Sequence, residues 1–143
     1  MPRRGESDAP AGLKALMAQT NRLQDVFMAE FRQGLTGNQL LSNILQKARE
    51  SGIGNPRVYS HSLGLFLHEP GPLIGLPWEQ VKPLPRGEVV LDHKMAFTME
   101  LSTEGPVPEW GGQIVRCPME EPVIFTAEGC APIRGRQTEF YLV

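Results

Sequence analysis

The chain has 143 residues, of which 41% are hydrophobic and 21% charged, as expected for one globular domain with a sizeable core. Its 14 basic and 16 acidic residues nearly cancel, so no strong field indicates nucleic acid or anionic lipid as a partner. No apolar run approaches the roughly 18 residues that span a membrane, and the polar first residues are unlike a secretory signal. We therefore expect a cytoplasmic protein in which Cys117 and Cys130 are ordinary thiols rather than a bridge.

The first part of the chain is predicted to be a tail followed by a helix. Residues 1–8 are expected to form a flexible tail, and residues 9–143 a single domain. Apolar side chains recur with helical spacing from Leu13 to Phe31. Asp8 can accept hydrogen bonds from the first free N–H groups of this helix.

A second helix is predicted to begin at Thr36. Thr36 and Gln39 are three residues apart and can cap each other. Leucine, isoleucine and alanine residues give this helix one apolar face, and Ser51-Gly52 ends it. The link between the two helices is short, so we expect them to be neighbours.

Beyond Pro56 the pattern changes to short apolar runs separated by glycine and proline. The predicted strands lie at residues 63–68, 94–101, 114–117, 123–126 and 140–143. Five prolines between residues 70 and 85 favour an ordered surface loop without ladder pairing. Gly105-Pro106 and the Trp110-Gly111-Gly112 segment predict turns. The fold class is therefore α+β, with two helices and then a mainly antiparallel sheet.

Two histidines and several glutamates could carry chemistry. His61 and His68 lie seven residues apart, with small or apolar residues between them and prolines after them. Glu100 lies among apolar strand residues, where a carboxylate is costly unless it is paired, binds a cation or faces water on an edge strand. Strand alternation sends one of Glu120 and Glu121 inward and the other outward, so at most one is a ligand. One imidazole and two carboxylates from separate strands suit Zn, Mn, Fe or Co.

Four motifs follow one another in an order typical of a known family. They are the segment around His61, then His68-Glu69-Pro70, then Phe97-Thr98-Met99-Glu100, and finally Glu120 six residues before Thr126. This order resembles the creatinase/aminopeptidase, or pita-bread, metallopeptidases, which include methionine aminopeptidase, prolidase and aminopeptidase P. The resemblance covers about residues 6–143 and implies the C-terminal half of a pita-bread domain.

The resemblance implies a role for each matching residue. His61, Glu100 and Glu120 would be metal ligands, and His68 would contact the substrate carbonyl or the tetrahedral intermediate. Glu100 would also carry protons. Two divalent ions (Mn, Co, Zn or Fe) would activate a water that hydrolyses the N-terminal bond of a peptide substrate, as in an aminopeptidase or Xaa-Pro dipeptidase.

The chain also departs from the family pattern. Such enzymes take two further ligands, both aspartates, from a β-hairpin that precedes the two helices, and none of Asp8, Asp25 and Asp92 fits this position. Metal binding by this chain alone should therefore be weak. Prolidase relatives usually place an arginine two residues before the last glutamate, whereas Arg116 lies four residues before Glu120.

Three hypotheses follow from the sequence. In the first, the chain is the C-terminal part of a metallopeptidase and pairs with an N-terminal half of the same domain or with a second copy. In the second, it is a non-catalytic binding module derived from the pita-bread fold. In the third, it is an α+β domain whose histidines are core residues.

Overall fold

Two helices form one layer of the fold. The computed structural model describes residues 7–141, so most of the predicted tail at residues 1–8 lies outside the described part. Helix α1 runs from Ala11 to Ala29 and helix α2 from Gly37 to Glu50. Neither helix of residues 7–141 combines the length and apolarity of a membrane span.

The starts of the helices test the predicted caps. At α2 the predicted capping box is confirmed, because the Gln39 N–H donates to Thr36 Oγ1 at 3.2 Å and the Thr36 N–H donates to Gln39 Oε1 at 2.9 Å. The predicted Asp8 cap is wrong, since Pro10 is the N-cap residue of α1 and makes no side-chain cap bond. The carboxylate of Glu109 instead accepts the N–H of Gly12 in the first turn, at 3.1 Å.

The second layer is one antiparallel sheet with strand order β2-β1-β3-β4-β5. Its strands are β1 (Arg57–Leu63), β2 (Leu73–Ile74), β3 (Met95–Val107), β4 (Gln113–Thr126) and β5 (Gly129–Pro132). Short 3-10 turns occur at Pro85–Glu88 and Pro108–Trp110. The predicted fold class, two helices followed by an antiparallel sheet, is confirmed.

Several predicted strand boundaries are wrong. The strand predicted at residues 63–68 lies earlier, as β1, and residues 64–68 form a bend and turn after it. The strands predicted at 114–117 and 123–126 are parts of one continuous strand, β4, and Gly105-Pro106 lies inside β3 rather than in a turn. Within the proline-rich loop, Leu73–Ile74 pairs with β1. Phe140 and Tyr141 are not in a strand, and residues 142–143 lie outside the described part.

The core lies between the helices and one face of the sheet. Phe31, just beyond the end of α1, packs against three other rings, with centroid distances of 5.0 Å to Phe27 and 5.4 Å to both Phe97 and Phe125. These contacts tie α1 to β3 and β4. The opposite face of the sheet carries the polar residues singled out in the sequence.

Candidate active site

A row of polar side chains crosses three strands on the face that points away from the helices. The ladder pairs Tyr59 with Glu100 and Glu100 with Glu120. Cross-strand partners lie on the same face of a sheet with their Cβ atoms about 4.5–5.5 Å apart. His61 follows Tyr59 by two residues and therefore shares this face. The structure thus brings three predicted ligands, His61, Glu100 and Glu120, to neighbouring positions.

His61 is held in one orientation by its surroundings. It is only 3% exposed, and its backbone N–H donates to Thr98 Oγ1 at 3.1 Å. Its Nδ1 lies 3.0 Å from the carbonyl oxygen of Ser62, and its Nε2 lies 3.3 Å from Glu100 Oε1. If Nδ1 carries the proton and donates to Ser62, the Nε2 lone pair points at a carboxylate. In that tautomer, a cation shared by Nε2 and the Glu100 carboxylate would be favourable.

The surroundings of Glu100 disfavour its charged form. Burial raises its pKa above the usual 4.5, and the charge of Glu120 on the adjacent strand raises it further. A hydrogen bond from the Thr98 hydroxyl and the charges of His61 and His68 act in the opposite direction. Two carboxylates side by side, one of them partly desolvated, favour the uptake of a proton or a cation.

His68 reaches the same site from the turn after β1. Its ring stacks on that of His61, with centroids 4.0 Å apart and an angle of 17° between the planes. The turn is fixed by the Glu69 N–H, which donates to the Ser62 carbonyl at 3.0 Å, and by the Glu69 carboxylate, which accepts the Phe66 N–H at 3.0 Å. His68 therefore lies at the edge of the polar row, outside the strand predicted for it.

The structure separates the two adjacent glutamates, as the alternation predicts. Glu120 is exposed on the outer face, opposite Glu100. Glu121 points to the helix side, where its Oε1 accepts the N–H of Gln137 at 2.9 Å. Glu121 is therefore engaged by the C-terminal segment and is not close to the polar row.

The donor atoms of the site can be compared with the needs of a metal ion. Two ligands that each bind one ion at 2.0–2.2 Å are about 3.0–3.4 Å apart, so the 3.3 Å between His61 Nε2 and Glu100 Oε1 fits a shared ion. The donor types fit a divalent transition metal as well. However, no three His, Cys, Asp or Glu side chains of residues 7–141 converge closely enough to hold one. Within the described part of the chain, the spacing of two donor atoms is compatible with a shared ion, and no third donor joins them.

Two residues of this face were not singled out as functional from the sequence. Thr98 bonds to both His61 and Glu100, and Tyr59 begins the polar row, with its ring centroid 5.5 Å from that of His61. Both stand two residues before a predicted ligand, so strand alternation could have found them. Burial and the nearby Glu100 raise the pKa of Tyr59 above its usual value.

The fold first defines a class of architecture. Two helices covering one face of an antiparallel sheet, with a polar site on the other face, form the C-terminal portion of a pita-bread domain. The resemblance predicted from the sequence is thereby confirmed for the fold.

Comparisons with known proteins then give particular neighbours. No protein-family model matches this chain, and no curated protein does. An X-Pro aminopeptidase from Thermotoga maritima is similar in structure, with a TM-score of 0.63 and 23% identity over 95% of this chain and 35% of its own. The prolidase from Pyrococcus furiosus has a TM-score of 0.60 and 21% identity over 92% of this chain and 35% of its own. An Xaa-Pro dipeptidase from Bacillus anthracis has a TM-score of 0.55 and 22% identity over 91% of this chain and 33% of its own. The chain thus spans about a third of the length of these structures.

Proposed function

We propose that this chain forms the C-terminal wall of the active site of a metal-dependent peptidase of the aminopeptidase or Xaa-Pro dipeptidase type. The observation that carries the proposal is the contact of 3.3 Å between His61 Nε2 and Glu100 Oε1, with Glu120 on the adjacent strand. The solved structures of similar fold include an X-Pro aminopeptidase, a prolidase and an Xaa-Pro dipeptidase, which supports the same class.

In this proposal each residue of the polar row has its own role. His61, Glu100 and Glu120 hold divalent metal (Mn, Co, Zn or Fe), with two ions in the complete site. When bound, such ions supply a water of lowered pKa and polarise a carbonyl group. Glu100 accepts and returns a proton, a role that suits a carboxyl group whose pKa is raised. His68, at the edge of the row, donates a hydrogen bond to the substrate carbonyl oxygen.

The proposal includes a partner for the outer face of the sheet. Two aspartate ligands are expected from an N-terminal half of the same domain, and the pseudo-symmetric alternative is a second copy of this chain. The solved neighbours are about three times as long as this chain, which supports an N-terminal half. Such a partner would also cover the carboxylate row and strengthen its electrostatic interactions.

A non-catalytic binding module is the second candidate. It is favoured by the finding that no three ligand side chains of residues 7–141 converge on one point. A module of this kind would keep the fold and its surfaces without retaining stoichiometric metal.

Metal binding distinguishes the two candidates. Titration of the full chain with Mn²⁺, followed by electron paramagnetic resonance, should show weak binding that falls at least about tenfold in His61→Ala and in Glu100→Gln, since each removes a ligand. Glu50→Gln, at an exposed position of α2, is the matched control and should bind like the unaltered chain. Equal binding by all four proteins, or no binding in any of them, would reject the peptidase proposal and favour the binding module.

A further inference from the structure

The His68 turn, residues 64–71, is held by little apolar packing. Its apolar residues Leu65, Phe66 and Leu67 are 90%, 81% and 61% exposed, so their burial does not fix the turn. Leu67 also has a φ of 71°, in the left-handed region that residues with a Cβ atom disfavour. The turn nevertheless places the His68 ring on that of His61, with the centroids 4.0 Å apart. The position of His68 therefore depends on the hydrogen bonds of the turn.

One of these hydrogen bonds comes from outside the turn and strand β1. Arg86 Nη2 donates to the carbonyl oxygen of Glu69, the residue after His68, at 2.9 Å. Within residues 7–141, the other hydrogen bonds of the turn join residues 62–71 to one another. Arg86 is thus the hydrogen-bonded connection between the turn and the helix side of the loop that follows it.

Arg86 stands on a rigid support. It belongs to the 3-10 turn Pro85–Glu88, and the side chain of Asn38 in α2 binds both sides of this 3-10 turn. The Asn38 amide group donates to the Leu84 carbonyl at 3.0 Å and to Glu88 Oε1 at 2.6 Å, and its oxygen accepts the Leu84 N–H at 3.0 Å. A continuous line of contacts therefore runs from helix α2 through Arg86 to the turn after β1.

The charge of Arg86 is not engaged elsewhere in the described part of the chain. None of the ion pairs within residues 7–141 involves its guanidinium. Burial and the charge of Glu100 raise the pKa of Tyr59, and the charge of Arg86 acts in the opposite direction, so the guanidinium lies close to the polar row. A charged donor makes a stronger hydrogen bond to a carbonyl than a neutral one does. The contact with Glu69 is therefore a strong one for a turn at the surface.

We propose that Arg86 is a positioning residue that fixes His68 over His61 by binding the backbone carbonyl of Glu69. The inference rests on the proposed function for the role of His68, which donates a hydrogen bond to the substrate carbonyl oxygen. Arg86 does not touch the reacting atoms and acts through the turn alone. The proline-rich loop that carries Arg86 is then a support for the site rather than a simple connection between strands.

Amide hydrogen exchange, measured by NMR on the full chain without metal, tests the effect on the turn. In Arg86→Gln the amide of Glu69, which donates to Ser62, should exchange about tenfold faster, because the turn loses its bond to Arg86 and opens more often. The amide of His61, which donates to Thr98, is the internal reference and should change by less than about twofold.

The contact between the two imidazole rings tests the effect on His68 itself. The nuclear Overhauser effect between the ring protons of His61 and His68 should be strong in the unaltered chain and clearly weaker in Arg86→Gln, since the rings no longer stay stacked. Arg86→Lys keeps a charged donor without the planar fork, so it should restore part of the ring contact and part of the protection of Glu69.

Lys82→Gln is the matched control, because it removes a positive charge from the same loop. None of the ion pairs within residues 7–141 involves Lys82, so both measurements should match those of the unaltered chain. An unchanged ring contact or an unchanged exchange rate at Glu69 in Arg86→Gln overturns the proposal. An equal rise at Glu69 and His61 also overturns it, because Arg86 would then stabilise the whole fold. Neither measurement uses metal or substrate, so a failed Mn²⁺ titration rejects the peptidase function without deciding this result.

Discussion

Replacing Thr98 by valine tests the hydrogen bonds that hold the polar row together. Thr98 is 4% exposed, and its hydroxyl accepts the backbone N–H of His61 at 3.1 Å while it also bonds to the carboxylate of Glu100. Valine has nearly the same shape as threonine but no hydroxyl. Thr98→Val therefore leaves a buried N–H without its acceptor and removes one donor from a partly buried carboxylate.

The expected cost follows from these two losses. A buried N–H without a partner costs about 1–3 kcal/mol, and with the lost bond to Glu100 we expect a total of about 2–4 kcal/mol. Thr98→Ser keeps the hydroxyl and loses one methyl group, which costs about 1 kcal/mol. In a chain of this length each kcal/mol lowers Tm by roughly 3 °C, so valine should lower Tm by about 6–12 °C and serine by about 3 °C.

Thermal unfolding followed by circular dichroism measures this difference. Valine has the higher strand propensity, so propensity alone would rank the valine variant above the serine variant. A valine variant at least as stable as the serine variant would refute the assigned hydrogen bonds. The pH adds a second check: because the Thr98 hydroxyl stabilises the charged form of Glu100, the deficit of Thr98→Val should shrink as pH falls through the titration of this group.

Two more predictions concern the core and Cys130. Phe31→Ala removes a side chain that is 2% exposed and contacts three rings. Urea titration should therefore show that the free energy of unfolding falls by about 3–5 kcal/mol. Phe66→Ala is the control: its side chain is 81% exposed, and the free energy of unfolding should change by less than about 0.5 kcal/mol. Equal losses would contradict the assigned core. Burial raises the pKa of Cys130 to about 12 from 9.0, so at pH 8 its thiolate fraction, and hence its labelling rate measured by mass spectrometry, should be about a thousandfold below that of a free thiol. Between pH 9 and about 12 the unfolded thiol ionises while the buried thiol stays neutral, so the stability that is present below pH 9 should be lost as the pH rises through this range. Rapid labelling of the native chain would contradict the burial of Cys130.

The helices were the most predictable part of the fold because their signals are local. The capping box of Thr36 and Gln39 is a pattern of four residues, and its bonds form within one turn. The start of α1 was not predictable in the same way. Its first turn is capped by Glu109, which is 97 residues away from Gly12 in the sequence. A contact of this kind depends on tertiary packing.

The prolines of β4 show why strand boundaries were harder to predict. Two separate strands were predicted, at residues 114–117 and 123–126, and the segment between them contains Pro118 and Pro122. A proline removes an N–H from a ladder. The carbonyl of Pro122 accepts the N–H of Ile133, at 2.9 Å, so Pro122 directs its backbone polar atoms away from β3. Pro118 lies four residues before Pro122 on the same strand, so its backbone polar atoms also face away from β3. They face the edge of β4 that β5 does not cover, because β5 pairs only with residues 123–126. Neither proline removes a bond between β3 and β4, so the strand continues through both.

The same register decides which glutamate faces Glu100, a choice that the sequence left open. In the ladder between β3 and β4, Phe97 is paired with Val123 on the core face, and Glu100 with Glu120 on the outer face. A slip of one residue would place Glu121 on the outer face, but it would also move Val123 and its apolar neighbours out of the core. Burial of several such side chains is worth about 1.5–3 kcal/mol each, far more than the repulsion between two partly solvated carboxylates. The packing of the core therefore keeps Glu100 and Glu120 side by side although their carboxylates repel each other. A cation bound at this site would relieve that repulsion.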